Sequence, residues 1–481
     1  MNQSPGPAPS QSTSSRRRFL KAASASAASL SVAATIVPRH VLGGPGQVAP
    51  SDRVNVALIG AGGRGLQNAR ELMKLKDVQI TAVADPAEFW DLKDFYYRGV
   101  AGRGPACKEF EAHYQAKQPG YRCQPFVDFR EMLQSAPSEF DAVLCAAPDH
   151  LHALISLHAM RSGKAVYCEK PLTHNIAEAR LVAKVAKETG VATQLGNQGH
   201  SRDGMRRTIE YLRSGILGEI TEVHAWVSAT RWNPSLVHPP TIKQPVPKGL
   251  DWDLWCGPRQ PVEFNHAYAP VAWRDFWQFG LGAMGDFGCH DLDSSVWGLE
   301  LGKPTRVEMY AAGQTDPAMI PFGELGYFDF EKTAYAGPTR IHWYSGGIRP
   351  ARPDAMPAGN DLPNRGVMFV GDKGVMVCGG AGGAPSVYPD ELAQTANEVA
   401  QSMERSQGHH SDWIQAIKGG PQASSEFGYG AKLTEITLLG VLSLRCGEVI
   451  HWDDVNMKAT GVAKADEVIH GDYRPGWELP G

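Results

Sequence analysis

Continuous apolar runs and alternating runs divide the chain into two parts. In the first part, short apolar runs are separated by helix-length segments, which predicts buried parallel strands with helices between them. These runs span residues 53–59, 78–84, 141–147, 164–168 and 191–195. In the second part, the runs at 220–229, 305–312 and 367–370 alternate apolar and polar side chains, which is typical of an open, largely antiparallel sheet. The pattern predicts an α/β protein with an N-terminal doubly wound parallel sheet and a C-terminal α/β domain.

A glycine-rich turn follows the first apolar run. Its pattern is G-x-G-x-x-G, and it stands between a predicted strand and a predicted helix, the context in which this pattern binds a dinucleotide. The glycines allow a tight turn, close approach of the backbone to the pyrophosphate and close packing of the helix, whose N-terminus favours phosphate charge. We therefore predict cofactor contacts from Gly60, Gly62, Gly63, Arg64 and Gly65.

An acidic residue ends the second predicted strand. Asp85 lies 20 residues after Gly65. A carboxylate at this point can accept hydrogen bonds from both adenosine ribose hydroxyls and would repel a 2′-phosphate. This predicts NAD rather than NADP, although Arg64 could blunt the preference.

More polar residues follow the third and fourth predicted strands. Pro148 and His152 come after the third, and Glu169, Lys170 and Pro171 come after the fourth. Loops at the carboxyl ends of parallel strands line the ligand crevice. A lysine held extended by the following proline could stabilise a developing alkoxide there. Taken alone, the histidine is better explained by packing at a helix start, and the lysine could equally be a surface residue.

Together, the glycine turn, the Pro-Asp-His-Leu-His sequence at 148–152 and the Glu-Lys-Pro turn resemble the Gfo/Idh/MocA family, most densely over residues 51–200. That family includes inositol and glucose dehydrogenases, glucose–fructose oxidoreductase and some NAD-dependent glycosidases. The resemblance implies a Rossmann domain and a second domain whose sheet closes the active site and forms an oligomer interface. It also implies that Lys170 points into the substrate pocket beside the nicotinamide, with Glu169 near the nicotinamide ribose.

A carboxylate and an imidazole lie four residues apart in the second part of the chain. Asp286 and His290 follow a glycine-rich turn in a predicted helix, so one helical face presents both. The carboxylate could orient the ring and raise its basicity for general-base catalysis; alternatively, Asp286 caps the helix and His290 packs in the core. The resemblance places a family Asp-x-x-x-His motif here and favours catalysis. A metal site formed by Asp286, His290, Asp291 and Asp293 is possible in principle. However, Asp291 and Asp293 point away from the face that carries Asp286 and His290, and the resemblance implies no metal.

Aromatic and polar side chains near predicted strand ends are candidates for binding a sugar. An indole face can stack on a sugar ring, and arginine and amide groups can bind hydroxyls. The candidates are Asn197, Gln198, Arg231, Trp232, Asn233 and Arg274. Trp252 and Trp255 are interpreted as packing aromatics, and His409 and His410 as helix-start residues.

Composition excludes several function classes. With 42% hydrophobic residues, 20% charged residues and a net charge of -4, the chain has no basic field for nucleic acid or anionic lipid. Its 8 cysteines are scattered without a Cys-x-x-Cys pair, which disfavours a zinc ribbon or a dithiol redox motif.

The N-terminal region has the layout of an export signal. Residues 15–21, Ser-Arg-Arg-Arg-Phe-Leu-Lys, precede an Ala/Ser-rich run at 22–37 and resemble a twin-arginine signal; a chance basic cluster is the alternative. The run is too short and too rich in Ala and Ser for a convincing membrane span. Since the twin-arginine route exports folded proteins, we expect a periplasmic enzyme with a tightly bound cofactor.

The predicted divisions are a leader at 1–50, a Rossmann domain at 51–195, a substrate and oligomerisation domain at 196–450 and an extension at 451–481. Residues 88–124 are interpreted as an inserted loop, either an oligomer contact or a lid over adenine. The predicted function is hydride transfer between bound NAD and a sugar, polyol or sugar acid, in a dimer or tetramer. The alternatives are an NAD-dependent glycosidase acting by oxidation and elimination, and a catalytically silent sugar sensor.

Overall fold

The computed structural model describes residue 49 and residues 52–481, so the predicted leader and export signal lie, apart from residue 49, outside the described residues. Residues from Arg53 to Gly481 form one unit. Within the described part, no helix combines the length and apolar character needed to cross a membrane.

The first sheet carries the N-terminal half of the site. Its strands are all parallel and run in the order β5-β2-β1-β6-β7-β8, which confirms the predicted doubly wound sheet. The strands are β1 Val54–Ile59, β2 Val78–Ala84, β5 Gln124–Phe126, β6 Ala142–Cys145, β7 Ala165–Cys168 and β8 Thr193–Leu195. The strand order reverses between β1 and β6, and such a switch point opens a ligand crevice at the carboxyl ends of the strands.

Helices cover both faces of this sheet. They span Gly63–Met73, Arg103–Gln115, Phe129–Ser135, Asp149–Arg161 and Ile176–Thr189. The last of them shows how local sequence sets the bounds, because Asn175 and Glu178 form a reciprocal capping box at its start. It ends at Gly190, which adopts a left-handed φ of 65°.

The insertion at 88–124 is only partly the loop that its glycines predicted. It contains a small hairpin of β3 (Trp90–Asp91) and β4 (Val100–Ala101), followed by helix Arg103–Gln115. The helix buries Ala106, Cys107 and Phe110 and packs against β2. Its narrow apolar face is too small to stand out in the sequence pattern.

The second sheet has the order β15-β14-β13-β9-β12-β11-β10-β16-β17 and is antiparallel except for the parallel pair β9 and β12. This confirms the predicted open, largely antiparallel sheet. The strands are β9 Ile220–Trp226, β10 Arg306–Ala312, β11 Gly323–Phe330, β12 Thr339–Tyr344, β13 Gly366–Gly371, β14 Val375–Gly379, β15 Pro385–Tyr388, β16 Ile450–Asp453 and β17 Lys458–Ala459. The predicted division at residue 450 falls inside β16, which joins this sheet through β10.

A buried helix, Phe427–Cys446, lies between the two sheets. It packs against helix Ile176–Thr189 on one side and against β10 and helix Gly282–Asp291 on the other. The remaining α-helices of the described residues are Asp203–Ser214, Trp252–Cys256, Asp293–Gly298, Asp390–Ala396, His409–Ile417 and Ala465–His470, with 3-10 turns at Gln198–Ser201 and Ala272–Asp275.

Candidate functional site

A cavity of about 1140 Å³ opens at the carboxyl ends of the parallel strands. Its wall runs from the glycine turn to helix Gly282–Asp291 and includes the strand-end residues Ile59, Ala84 and Glu169. Single-ligand pockets measure roughly 300–1,000 Å³, so this cavity has room for a dinucleotide together with a small substrate.

The glycine turn leaves open space where a pyrophosphate would lie. Gly60 has a φ of 89°, and a side-chain carbon added at Gly62 would meet no atom within 4 Å. A side chain at Gly65 would collide with the Gly60 carbonyl oxygen, so this glycine lets the helix pack on the turn. Helix Gly63–Met73 begins here without an acidic residue in its first turn, which favours an anion at its N-terminus. These residues fit a bound dinucleotide.

Tyr97, from the insertion, lies over the glycine turn. A side chain at Gly63 would overlap its ring, and burial raises the pKa of the Tyr97 hydroxyl. Tyr96, Trp90 and Leu92 from the same insertion also line the cavity. The insertion therefore covers the glycine turn, a contact that the sequence did not predict.

Asp85 lines the cavity at the end of β2. Its Oδ2 accepts a hydrogen bond from the Ala61 amide at 2.7 Å, and its Oδ1 accepts one from the Ala87 amide at 2.8 Å. Burial raises the pKa of this carboxyl to about 6, against the effect of those two amides. The acid is therefore mostly ionised at neutral pH, and each oxygen keeps a lone pair for a ribose hydroxyl.

Glu169 joins the glycine turn to the second domain. Its Oε1 accepts hydrogen bonds from Asn68 Nδ2 at 2.7 Å, Arg64 Nε at 3.1 Å and Gln198 Nε2 at 2.7 Å. Burial alone would raise the pKa of Glu169, but Arg64 and Lys170 outweigh it and the pKa is lowered. This carboxylate is ionised and holds Arg64 and Gln198 at the cavity wall.

Lys170 and Asp286 meet across the domain boundary. The Lys170 ammonium donates to the Asp286 carbonyl oxygen at 2.7 Å and forms an ion pair with its carboxylate. Arg274 Nε lies 3.8 Å from the second carboxylate oxygen. Burial would raise the pKa of Asp286, but Lys170 and Arg274 lower it. Two predicted site residues from opposite halves of the chain are thus in direct contact.

His290 lines the same cavity, but its predicted contact with Asp286 is not formed. Among the described hydrogen bonds none joins the two side chains, and His290 Nδ1 is buried without a partner. Burial, followed by the charges of Lys170 and Arg365, holds the pKa of His290 well below its usual value. The expectation that Asp286 raises the basicity of His290 is corrected, because Lys170 and Arg274 occupy the carboxylate instead.

The turn after β6 supplies two predicted residues and one that was overlooked. Pro148, His152 and Asp149 all line the cavity. His152 is buried, with Nδ1 2.6 Å from the Pro171 carbonyl oxygen and Nε2 2.7 Å from that of Ala147, so it packs against the lysine turn. Burial raises the pKa of Asp149 to about 7. The signal for Asp149 was its place directly after Pro148 at a strand end.

Three of the predicted sugar-binding residues line the cavity: Gln198, Trp232 and Arg274. The Arg274 guanidinium lies 4.1 Å from the centre of the Trp273 ring and 5.3 Å from that of Trp232. This cation–aromatic group stands beside Asp286, where a sugar ring could stack and donate hydroxyl protons.

The other three candidates are structural. Asn197 is buried and donates to Asp293 at 2.9 Å. Arg231 is buried and donates to the Ile320 carbonyl oxygen at 2.7 Å. The Asn233 backbone N–H donates to Asp275 at 2.7 Å, and its side-chain oxygen accepts a hydrogen bond from the Ser235 hydroxyl at 2.7 Å. None of these three residues is among the described residues that line the cavity. Their polar groups instead hold neighbouring loops together.

Several other cavity residues were missed or read differently in the sequence. Arg365 donates to Asp291 at 2.8 Å and lines the wall beside His290. His410 begins a helix, as predicted, but its ring also stacks on Tyr167 at 5.1 Å and faces the cavity. Trp477, near the C-terminus, lines the wall from a position that no local pattern marks. Trp252 and Trp255 stack at 4.5 Å, as expected of packing aromatics, but Trp255 also lines the cavity.

Two family models match this chain. The first, an oxidoreductase family with an NAD-binding Rossmann fold, covers residues 54–197, and the second, the C-terminal α/β domain of the same family, covers residues 208–333. The chain belongs to the Gfo/Idh/MocA family of oxidoreductases. The predicted resemblance is confirmed, and the glycine turn, Lys170 and Asp286 lie within the matched residues.

Curated relatives include a glycosyl hydrolase family 109 protein from Shewanella sp. (strain W3-18-1), 26% identical over 230 residues, which are 45% of this chain and 47% of the relative. An alpha-N-acetylgalactosaminidase from Shewanella oneidensis is 25% identical with the same coverage, 45% and 47%. The chain therefore spans about half the length of the curated relatives it matches.

Solved structures show the same fold. The WlbA dehydrogenase from Bordetella pertussis, in complex with NADH and UDP-GlcNAcA, aligns with a TM-score of 0.54 at 17% identity, covering 83% of this chain and 99% of that one. The aldose-aldose oxidoreductase from Caulobacter crescentus aligns with a TM-score of 0.52 at 15% identity, covering 83% and 100%.

Proposed function

We propose that this protein transfers a hydride between a carbinol carbon of a sugar, polyol or sugar acid and a bound nicotinamide dinucleotide. One observation carries the proposal: Lys170, Asp286 and His290 line the same cavity as the glycine turn, whose open space fits a dinucleotide. When bound, the nicotinamide supplies the hydride acceptor or donor. The residues of the chain then have to position the substrate hydroxyl and manage its proton.

Lys170 stabilises the negative charge that develops on the substrate oxygen. A preorganised cation in a cavity with little water stabilises an oxyanion more than it does in bulk water. Asp286 holds the ammonium in place through its carboxylate and its carbonyl oxygen. Asp286 is therefore a positioning residue for Lys170.

His290 exchanges the hydroxyl proton. Its lowered pKa keeps the imidazole neutral at neutral pH. Its buried Nδ1 has no partner among the described residues, so this nitrogen can exchange a proton with the substrate. Arg274 and Trp232 provide a stacking surface for the sugar ring beside this group.

The preferred cofactor in this proposal is NAD, held tightly. The ionised Asp85 carboxylate would repel a 2′-phosphate, and Tyr97 covers the glycine turn. The twin-arginine-like sequence at 15–21 supports export of the folded, loaded enzyme to the periplasm. Exposed apolar side chains at Tyr310 and Leu325, paired on the outer face of the second sheet, support a homo-oligomer.

A second candidate function is an NAD-dependent glycosidase that oxidises the sugar transiently and eliminates its substituent. The similarity of this chain to a glycosyl hydrolase family 109 protein, at 26% identity, favours this second function. Oxidation next to the carbon that loses its proton would acidify that proton, and the same Lys170 and His290 would serve both steps.

The test starts from the purified protein. Denaturation followed by mass spectrometry should release NAD, and sugars deuterated at single carbinol carbons should transfer deuterium to the nicotinamide. Release of neither NAD nor NADP, with no deuterium transfer to added cofactor, would refute the proposal. Release of an aglycone without net accumulation of NADH would favour the glycosidase over the dehydrogenase.

A further inference from the structure

A second cluster of chemically active side chains lies on the outer face of the second sheet, outside the cavity. Glu222 and His224 alternate along β9 and therefore point to the same face. In the parallel pair of β9 and β12, His342 is the register partner of His224. Val223, which lies between Glu222 and His224, and its register partner Ile341 are fully buried on the opposite face. The sheet itself thus fixes the three polar side chains side by side.

Their ligand atoms converge. Glu222 Oε1 lies 3.2 Å from His224 Nε2 and 3.0 Å from His342 Nε2, and all three atoms lie within 4.8 Å of one another. Ligand atoms around a tetrahedral zinc ion, with bonds of about 2.0–2.2 Å, are roughly 3.3–3.5 Å apart. Small side-chain rotations would bring the cluster to this geometry.

The electrostatics also favour a cation. Among the described residues, no lysine or arginine pairs with the Glu222 carboxylate. Its neighbour across the strands, Arg340, pairs with Asp329 instead at 2.7 Å.

A further group orients one of the ligands. Tyr344 Oη lies 2.9 Å from His224 Nδ1, and a proton on that nitrogen would leave the Nε2 lone pair directed at the cluster. Such hydrogen bonds to the second ring nitrogen are typical of histidines that bind metals. The two nitrogens and single carboxylate oxygen suit a first-row transition ion such as Zn²⁺, whereas Ca²⁺ and Mg²⁺ require more oxygen ligands.

We propose that Glu222, His224 and His342 form a binding site for one divalent transition-metal ion of the zinc class, with water completing the coordination. The site is separate from the cavity, since none of its three residues lines that wall. The ion would tie β9 to β12 on the face away from the catalytic residues.

The test uses the full purified protein in its native assembly, freed of metal by dialysis against a chelator. Calorimetric titration with ZnCl₂ should show one equivalent bound per chain in the native protein. The variants Glu222→Gln, His224→Gln and His342→Gln should each weaken this binding by at least about tenfold. His451→Gln is the matched control, because His451 is exposed on β16 of the same sheet and does not contact the cluster.

Cobalt provides a second measurement. Co²⁺ added to the metal-free protein should give visible absorption bands of a low-coordinate nitrogen and oxygen site, and these bands should be absent from Glu222→Gln. Circular dichroism checks that each variant is folded. Zinc binding that is equally strong in His342→Gln and the native protein, or no stoichiometric binding in the native protein, would overturn the proposal. Neither measurement involves sugar or dinucleotide, so the result is independent of the proposed oxidoreductase activity.

Discussion

The Asp85 carboxylate accepts hydrogen bonds from two backbone amides at the end of β2 while keeping access to the cavity. This arrangement fixes a negative charge where an adenosine ribose would lie. A serine could still bond a hydroxyl but would no longer repel a 2′-phosphate.

Replacing Asp85 should therefore change cofactor preference. In Asp85→Ser, the ratio of NADP to NAD affinity should rise by at least about tenfold, because the repulsion of the phosphate is removed. Fluorescence titration with NADH and NADPH measures both affinities. Asp91→Ser, an exposed aspartate on the insertion hairpin, is the control and should leave the ratio unchanged. An unaltered ratio in Asp85→Ser would argue against a role for this acid in cofactor choice.

Asp149 makes stability depend on pH. Burial raises its pKa from 3.8 to about 7, so between these values the folded protein holds a proton that the unfolded chain has released. Its contribution to stability is therefore present below pH 3.8 and is lost as pH rises through about 7. Asp149→Asn should be more stable than the native protein at about pH 8, by about 2–4 kcal/mol, and the gap should shrink towards about pH 5.

Thermal or urea unfolding at the two pH values measures this gap. Asp94→Asn, an exposed aspartate, should show no comparable pH-dependent gain. A constant difference between Asp149→Asn and the native protein at both pH values would contradict the buried, titrating carboxyl.

Residue types alone left the places of Lys170 and Asp286 open, since the lysine could have been a surface residue and the aspartate a helix cap. The family resemblance favoured site roles, and both residues line the cavity. The prediction that Arg231 and Asn197 bind a sugar was wrong. An arginine or an amide that follows a strand can bind a loop carbonyl oxygen or a buried acid as readily as a sugar. Only the neighbours, which come from distant parts of the chain, decide between these uses.

At the scale of elements, the insertion and the glycine turn interlock. Helix Gly63–Met73 starts under the Tyr97 ring, which occupies the space that a side chain at position 63 would need. Overpacking of such contacts typically costs about 1–3 kcal/mol.

Gly63→Ala should therefore destabilise the protein by about 1–3 kcal/mol. The same glycine substitution made in a Tyr97→Ala background should cost much less, since the clash is relieved. Urea unfolding of the four members of this cycle measures the coupling. Equal effects of Gly63→Ala in both backgrounds would show that the insertion does not contact the turn.

Five of the six strands of the first sheet were predictable because each is a local apolar run. Strand β5 (Gln124–Phe126) was not predicted, since its three side chains are exposed or only half-buried. Helix Arg103–Gln115 was not predicted either, since only three of its side chains are buried. Strands β11 and β14 were also not identified from the sequence. Which of their side chains face the core becomes clear only from their pairing with β10 and β13.

Across the whole chain, helix Phe427–Cys446 joins the two segments that carry the proposed catalytic residues. Thr434 Oγ1 accepts a hydrogen bond from the Leu172 amide at 3.2 Å, two residues after Lys170, and lies 3.6 Å from Cys289 Sγ, next to His290. One side chain thus contacts both segments. This arrangement depends on a helix more than 130 residues from either segment, so no pattern around Lys170 or His290 could predict it.

Hydride transfer by Lys170→Ala is the sharpest test of the proposed oxidoreductase site. In a single turnover with a deuterated sugar that the native enzyme oxidises, this variant should transfer deuterium about 10²–10³-fold more slowly, as expected when one preorganised oxyanion-stabilising group is removed. It should retain the same content of bound dinucleotide. Lys184→Ala, an exposed lysine on helix Ile176–Thr189, should react at the native rate. A native transfer rate in Lys170→Ala with cofactor fully bound would contradict the assignment of this lysine and the site built around it.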